Sequence, residues 1–271
     1  MSAAPKIKVI HEPSAAEPFA VLYKPAGLAS APLSAGDASA LTECGRLFPD
    51  VLNVRGKKAV EGGLLHRIDT ATSGLLLVAS SQEFYGHIIA AQENGFFVKG
   101  YRAECDVNQK NAQALEGFPE PPAASLPFDD FLQEKNAAAL MDIELSSYFR
   151  PFGKGAKEVR PVLQGSNVAA LKKIGSKKIY STKIVSADFL GDGKAKLCCK
   201  ISQGYRHQVR CHLAWLGFPV RGDRLYNADF AAARLGLADN NGAGGEPMRF
   251  EAFSLDFPDL FSEKAFSFSL D

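Results

Sequence analysis

Apolar runs that end at turn residues predict a series of β-strands along this chain. Five such runs are present, at residues 19–25, 75–79, 96–107, 178–189 and 194–202. The last two are joined by Gly191, Asp192 and Gly193, which predicts a tight hairpin between them. Strands separated by helical segments predict a mixed α/β (α+β) fold.

Capping patterns predict two helices in the first third of the chain. Ser80 and Glu83 form a capping-box pattern after the second apolar run, and the helix that follows should end near Gly95. Asp37 is expected to cap a shorter helix that runs towards Phe48. In chain order the two helices would flank the second strand.

The stretch SQGYRHQVRCHLAWLG, residues 202–217, predicts a further helix that Gly217 ends, because apolar residues recur on one side of it. Arg206 and Arg210 are four positions apart in this helix, so their like charges repel each other and favour an anionic partner. Arg206 could equally extend into solvent, since a long side chain reaches water easily. Arg210 lies closer to the apolar side and has the greater need of a carboxylate.

The length and composition are those of a globular protein. The chain has 271 residues, of which 46% are hydrophobic and 23% are charged, enough for one large domain or two small ones. No apolar run has the form of a signal peptide or the length of a membrane span, which predicts a cytoplasmic protein. The five cysteines form no CxxC pair and are expected to be reduced core residues, with Cys198 and Cys199 on opposite faces of a strand. His66 and His207 lack the spacing of a metal-binding pair.

Charge is segregated along the chain, although the formal net charge is only +1. Residues 104–144 hold nine acidic side chains against two lysines, whereas residues 150–183 hold nine basic side chains against Glu158 alone. A charge run is often only a solvated face, but a basic block of this kind can also follow a polyanion. Nucleic acid is therefore a candidate partner.

The stretch LLHRIDTATSGLLL, residues 64–77, places Arg67 and Asp69 inside an apolar run. A buried carboxylate is strongly destabilising unless it is paired or hydrogen-bonded. In an extended backbone the two side chains share one face, so both could line the same cleft. A simple ion pair between Arg67 and Asp69 is the plainer alternative.

Several motifs together resemble those of the RluA-type pseudouridine synthases. LLHRIDTATSGLLLVAS resembles the family signature HRLDxxTSGLLL, and YKPAGL resembles the segment N-K-P-x-G-L. GYRHQVRCHLAWLGFPVRGDRLY resembles the family pattern with H-Q-I-R-x-H-L and G-D-x-x-Y, except that Tyr205 and Arg206 replace the usual Arg and Thr. VKGYRAEC resembles the strand with the active-site tyrosine, and RFEAFSLDFP resembles the closing strand. The order and spacing agree over most of the chain outside roughly residues 107–160.

The resemblance implies a pseudouridine synthase catalytic domain, with a mixed, mostly antiparallel sheet flanked by helices and a central active-site cleft. The domain would span residues 18–271 after an N-terminal extension at residues 1–17, with an inserted or divergent segment at about residues 107–160. The implied activity is the isomerisation of specific uridines to pseudouridine in rRNA or tRNA. The enzyme is expected to be a cytoplasmic monomer without cofactor, metal, membrane or protein partner.

Three residues receive catalytic roles from the resemblance. Asp69 is the essential carboxylate and nucleophile, and the sequence leaves open whether it attacks the sugar directly or first assists cleavage of the glycosidic bond. Arg210 pairs with Asp69 and keeps it ionised. Tyr101 stacks on the uracil, although its spacing alone favours a core tyrosine with a satisfied hydroxyl.

The resemblance also places further residues at the substrate: Lys24, His66, Arg67, Arg206 and His207. Arg67 would brace the space left by an extruded uridine, because a stacked base cannot react. The alternative for His66 and His207 is a structural hydrogen bond.

The sequence allows two arrangements for holding RNA. In the first, phosphates are contacted by Lys172, Lys173, Lys177 and Lys178 beside a Gly-Ser turn. In the second, these lysines only solubilise an outer loop, and RNA is held by Arg206, Arg221 and Arg224.

Two other classes of protein are alternatives to an RNA isomerase. The sequence argues against a protein kinase, because the Gly-rich loop and DFG motif that accompany HRD in kinases are lacking. A non-catalytic RNA-binding protein stays the alternative, but it would have no reason to retain Asp69, Tyr101 and Arg210 together.

Overall fold

The computed structural model describes residues 6–34, 36–120, 128–133, 137–230 and 246–271. By its contacts the chain divides into two units, Met1–Gly100 with Glu251–Asp271, and Tyr101–Phe250. Each unit has its own hydrophobic core. The predicted division into residues 1–17 and 18–271, with a divergent segment at about 107–160, stays a prediction.

The strands are β1 (Lys8–His11), β2 (Phe19–Lys24), β3 (Ser73–Ala79), β4 (Val98–Asp106), β5 (Glu144–Phe152), β6 (Glu158–Val162), β7 (Tyr180–Gly191), β8 (Lys194–Ile201), β9 (Phe250–Pro258) and β10 (Ala265–Ser269). The α-helices are α1 (Ala40–Leu47), α2 (Asp50–Asn53), α3 (Gln82–Glu93), α4 (Asn111–Ala114), α5 (Phe128–Leu132), α6 (Val168–Leu171) and α7 (Gln208–Leu216). Short 3₁₀ helices lie at Ala59–Glu61, Ala137–Leu140 and Lys154–Ala156. None of the described helices has the length and hydropathy needed to cross a membrane.

The first unit is built on the strand order β1-β2-β3-β9, with β10 beside β9. Its pairs are antiparallel except for β3 and β9, which meet in parallel at Ser73 and Gly74. Most side chains of β2 and β3 are buried, which explains their uninterrupted apolar sequences. Helix α3 packs Phe84 and Ile88 into the same core as Phe19.

Both predicted N-caps in this unit were wrong in position. Helix α3 is capped by Ser81, whose Oγ accepts the Phe84 N–H at 3.2 Å, because the Ser80 N–H continues the strand by bonding to Pro18. Helix α1 is capped by Ser39, and the carboxylate of Asp37 closes a preceding turn. Each cap lies one or two residues later than predicted, since hydrogen bonds to other segments decide where the helix begins.

The second unit has the strand order β4-β8-β7-β5-β6, and the β8-β7, β7-β5 and β5-β6 pairs are antiparallel. The predicted β7-β8 hairpin is confirmed: Asp192 and Gly193 have φ values of 51° and 66°, as a tight hairpin turn requires. Cys199 is buried while Cys198 is partly exposed, so the predicted alternation along β8 is also confirmed.

The described part of residues 108–128 contains α4 and the first residue of α5. Residues 121–127 of that stretch lie outside the described residues. Asn111 at the start of α4 donates to the carbonyls of Ala214 and Tyr226 at 3.1 and 2.9 Å. Arg160 of β6 donates to the Glu116 carbonyl at 2.8 Å. The start of the segment is therefore tied into the second unit.

Helix α7 starts at Gln208, six residues later than the beginning of the predicted stretch. Arg206 precedes the helix, so the predicted repulsion with Arg210 along one helix face was wrong. The start is set by His207, which adopts a left-handed φ of 58°, and the predicted stop at Gly217 is confirmed by its φ of 97°. Every residue of α7 is buried, so the helix has no solvent face.

The cap of α3 gives a direct test of this local structure. Ser81→Ala should lower the free energy of unfolding by about 1 kcal/mol, because the Phe84 N–H loses its acceptor. Ser80→Ala is the matched control and should change stability less, since only the backbone of Ser80 is used. Urea unfolding of both variants measures the difference, and a larger loss for Ser80→Ala would contradict this assignment.

Candidate active site

The loop that carries Asp69 is held by the segment after β2. The Ser30 hydroxyl donates to the Ile68 carbonyl at 2.7 Å and accepts the Ile68 N–H at 3.2 Å, while the Gly27 N–H donates to the Thr70 carbonyl at 2.7 Å. Asp69 itself is only partly buried, between the buried Ile68 and the exposed Thr70. The backbone around Asp69 is thus fixed by hydrogen bonds, while the residue itself keeps partial exposure.

Lys24 anchors the same loop from inside the first unit. Its side chain is 0% exposed, and its Nζ donates to the carbonyls of Leu28 at 2.7 Å, Pro25 at 3.0 Å and Thr70 at 3.3 Å. Burial lowers the pKa of Lys24 from 10.5 to about 8, and the nearby negative charge of Asp69 opposes that lowering. At neutral pH a buried cation therefore sits close to Asp69.

Gly74, at the end of the TATSG sequence, allows β3 to approach β9. Its φ of 128° is rarely adopted by residues with a side chain, and a Cβ there would clash with the backbone of Ala252. Because β3 pairs with β9 at this position, the glycine fixes where the Asp69 loop joins the sheet.

Arg67 forms an ion pair with Glu61, with 3.0 Å between its Nη1 and the carboxylate. Its side chain is 58% exposed, and Ile68 between Arg67 and Asp69 is buried. The expected alternation therefore holds: both charged residues point away from the buried side. The ion pair with Glu61 is one that the sequence analysis did not foresee.

His66 is tied into the core of the first unit. Its Nε2 accepts the Leu77 N–H at 3.2 Å, and its ring meets Phe97 edge-on at 5.4 Å. Burial, reinforced by the charge of Lys99, lowers the pKa of His66 to about 3, so the ring is neutral at physiological pH.

Lys99 is a buried cation that the sequence analysis missed. Its Nζ donates to the Phe97 carbonyl at 3.2 Å and lies 4.1 Å from the centre of the Phe97 ring. Burial lowers its pKa from 10.5 to about 7. The available signal was its position two residues before Tyr101, on the buried alternation of β4.

Tyr101 begins the second unit and is 8% exposed. Its ring stacks on Phe250 at 5.3 Å with an interplanar angle of 9°. Ala103 and Cys105 follow it on the same buried alternation.

Arg210 is held by a carboxylate that the sequence analysis did not single out. Its Nε and Nη2 donate to the two oxygens of Asp223 at 2.7 and 2.8 Å, and the two side chains are 6% and 0% exposed. Asp223 also accepts the N–H groups of Leu225 and Tyr226. The expectation that Arg210 needs a carboxylate is confirmed, and its proposed pairing with Asp69 stays a prediction. The signal for Asp223 was the G-D-x-x-Y pattern.

Tyr226 links this ion pair to the start of α7. Its hydroxyl accepts the Val159 N–H at 2.9 Å and lies 2.9 Å from His207 Nδ1, while the Arg210 guanidinium lies 5.3 Å from its ring. Burial raises the pKa of Tyr226, so the phenol stays protonated. His207 is thereby held in its left-handed conformation.

Arg206 is exposed, and its Nη2 donates to the carbonyls of Ala156 and Glu158. The structure thus groups Lys24, His66, Arg67 and Asp69 in the first unit and Arg206, His207 and Arg210 in the second.

Residues 18–215 match the family model described as RNA pseudouridylate synthase. The dual-specificity RNA pseudouridine synthase RluA of Salmonella typhimurium is 27% identical over 215 residues, which cover 78% of this chain and 74% of that protein. The protein of the same name from Escherichia coli K12 is 26% identical over 217 residues, with coverages of 79% and 75%.

Two solved human structures have a similar fold. RNA pseudouridylate synthase domain containing 1 superposes with a TM-score of 0.59 at 17% identity, covering 98% of this chain and 84% of that one. RNA pseudouridylate synthase domain containing 4 superposes with a TM-score of 0.58 at 16% identity, covering 97% of this chain and 87% of that one.

The burial of Lys24 predicts a pH dependence of stability. Its pKa is about 8 in the folded chain and ordinarily 10.5, so between these pH values the unfolded chain holds more protons and stability rises with pH. Relative to Lys24→Met, the wild type should gain about 3 kcal/mol across this range. Urea unfolding from pH 7 to 10.5 measures it. The exposed Lys264→Met is the control, and parallel curves for wild type and Lys24→Met would contradict the prediction.

The Arg210–Asp223 pair predicts strong coupling in a double-mutant cycle. Arg210→Ala or Asp223→Ala should each destabilise the fold by about 3 to 5 kcal/mol, because each leaves the other charge buried alone. The double variant should lose less than the sum of the two, as measured by urea unfolding.

The exposed pair Lys183 and Asp142 supplies the control for this cycle, with an ion-pair distance of 2.8 Å. Lys183→Ala and Asp142→Asn should be nearly additive, because solvent screens the charges. Additive losses for Arg210 and Asp223 as well would show that they do not stabilise each other.

Proposed function

Since the chain belongs to the RNA pseudouridylate synthase family and is an enzyme that isomerises uridine to pseudouridine in RNA, we propose that Asp69 is its catalytic nucleophile. This role is supported by two properties of the loop that contains Asp69: a fixed backbone and partial exposure of the aspartate. Lys24 and Ser30 fix the backbone around Asp69 through hydrogen bonds, while Asp69 itself keeps partial exposure. A reactive group held in this way needs little reorganisation before it acts.

The isomerisation exchanges one bond of uridine for another. The bond between N1 of uracil and C1′ of ribose breaks, the base turns, and a bond from C5 to C1′ forms. The proton at C5 leaves and N1 gains a proton, so the composition is unchanged. A carboxylate that bonds to C1′ holds the ribose while the base turns, and no redox partner is consumed.

Tyr101 and Arg210 are assigned supporting catalytic roles. Tyr101 stacks on the uracil, and its parallel stacking on Phe250 supports a ring that is already oriented for such contact. Arg210 pairs with Asp69 and keeps it ionised. Its hold on Asp223 uses Nε and Nη2 and fixes the plane of the guanidinium.

The substrate-contacting residues divide by exposure. Arg67 and Arg206 are exposed and contact the RNA, with Arg67 bracing the space left by the extruded uridine. Lys24 and His66 act on the substrate indirectly, because Lys24 Nζ donates to carbonyls of the loop and His66 Nε2 accepts an N–H of β3. His207 orders the turn before α7 through Tyr226.

The substrate is ribosomal or transfer RNA, modified in the cytoplasm by a monomer that needs no cofactor. The motif resemblance supports this finer assignment, and the names of the bacterial relatives give RNA as their substrate.

Mapping of pseudouridines in cells tests the role of Asp69 and names the target. Total RNA from cells that lack the gene should lose pseudouridine at one or more positions of rRNA or tRNA. Plasmid-borne wild type should restore these positions, and Asp69→Asn should not, since the variant keeps the shape of the side chain but loses its charge and nucleophilicity.

Asp188→Asn is the matched control, because it makes the same change at an exposed position of β7 and should restore modification fully. Restoration by Asp69→Asn at a comparable protein level would disprove the catalytic assignment. Sites found only in messenger RNA would overturn the substrate class and leave the reaction in place.

A further inference from the structure

Seven exposed cations lie on three turns of the second unit that meet just before α7. They are Lys154, Lys157, Lys172, Lys173, Lys177, Lys178 and Arg206, and are called the basic surface from here on. The first turn contains the 3₁₀ helix between β5 and β6, the second links α6 to β7, and the third is the Gly204–His207 turn. Residues that are distant in sequence thus form one positively charged surface.

Hydrogen bonds and packing join the three turns. Arg206 donates to the carbonyls of Ala156 and Glu158, which places it against the first turn. Tyr205 stacks on Phe149 at 5.1 Å with an interplanar angle of 9°. The Gly175 N–H in the second turn donates to the carbonyl of the same Phe149 at 2.8 Å.

Gly175 also leaves room for the neighbouring tyrosine. A Cβ at this position would clash with the Tyr205 hydroxyl, so the second turn lies directly against the third. The basic surface is therefore contiguous across residues 154–157, 172–178 and 206.

The charges of the basic surface are not neutralised by described carboxylates. Between Arg150 and Lys183 the sequence has one acidic residue, Glu158, and that carboxylate pairs with the buried Arg160 at 2.8 Å. None of the seven cations forms an ion pair within the described residues. Such a concentration of like charge repels itself unless a polyanion binds to it.

Arg221 illustrates the opposite case. It is paired with Asp106 and Glu246, both at 2.8 Å, so two carboxylates already surround its guanidinium. Arg221 is therefore a poor ligand for phosphate, and the second arrangement considered from the sequence loses one of its three arginines.

We propose that the basic surface binds the phosphate backbone of the substrate RNA. This assignment rests on the proposed function for the identity of the polyanion. Lysines on long flexible stems suit phosphates whose positions vary with sequence. Arg206 is pre-organised, because two backbone carbonyls already hold one edge of its guanidinium.

The salt dependence of binding tests the proposal. The variant with Lys172, Lys173, Lys177 and Lys178 changed to Gln should bind a fluorescent uridine oligonucleotide with a flatter dependence of log Kd on log salt. Each lost contact lowers the slope by about 0.7 on a single strand. Four lost contacts make the rise in Kd from 50 to 200 mM salt roughly 50-fold smaller.

A second variant loses the same amount of positive charge elsewhere on the protein. It shows whether an effect on binding comes from these particular lysines or from the change in net charge. It changes Lys57, Lys58, Lys196 and Lys264 to Gln, four exposed lysines outside the basic surface. The slope of its log Kd against log salt should differ from the wild-type slope by no more than about 0.7, the contribution of one contact. Equal slopes for the two variants would overturn the proposal, whether both match the wild type or both are flattened. Pseudouridine formation by the wild type is measured separately, so a failure of the proposed function is distinguishable from a failure of this surface.

Discussion

The buried ion pair of Arg210 and Asp223 is the interaction on which most of the second unit depends. Two charges at 6% and 0% exposure are tolerated only because each satisfies the other through two hydrogen bonds. Asp223 also accepts two backbone N–H groups, which shapes the segment up to Tyr226. Tyr226 in turn bonds to Val159 of β6 and to His207 before α7, so one pair connects the helix, the sheet and the turn that carries Arg206.

The first unit also contains a buried charge, which is bound by backbone carbonyls. Lys24 is fully buried, yet its partners are three backbone carbonyls, so its charge is solvated and not neutralised. A cation in this state stabilises a nearby anion, and Asp69 is the nearby anion. One side chain thereby joins the turn after β2 to the loop of Asp69 and sets the electrostatic environment of that loop.

Buried and exposed charges in this protein serve different purposes. Inside, Arg160, Arg210 and Lys24 donate to carboxylates or to backbone carbonyls, which gives a rigid framework. Outside, the lysines of the basic surface lack carboxylate partners among the described residues and can meet an external anion. Within the basic block at residues 150–183, Arg160 is thus a buried structural charge, whereas the lysines are exposed.

The sequence by itself determined the strands that became β2, β3, β4, β7 and β8 and the helix α3, which depend on local periodicity and turn residues that a chain carries wherever it folds. The strand β9 and the family motifs were indicated by the resemblance. Only the tertiary structure decided that Ser81 is the cap of α3, that α7 begins after Arg206, and that Asp223 is a partner of Arg210. Each of these depends on hydrogen bonds between separate segments: Ser80 to Pro18, His207 to Tyr226, and Arg210 to Asp223. Local sequence patterns predict that a buried charge needs a partner, but only the folded chain determines which residue that partner is.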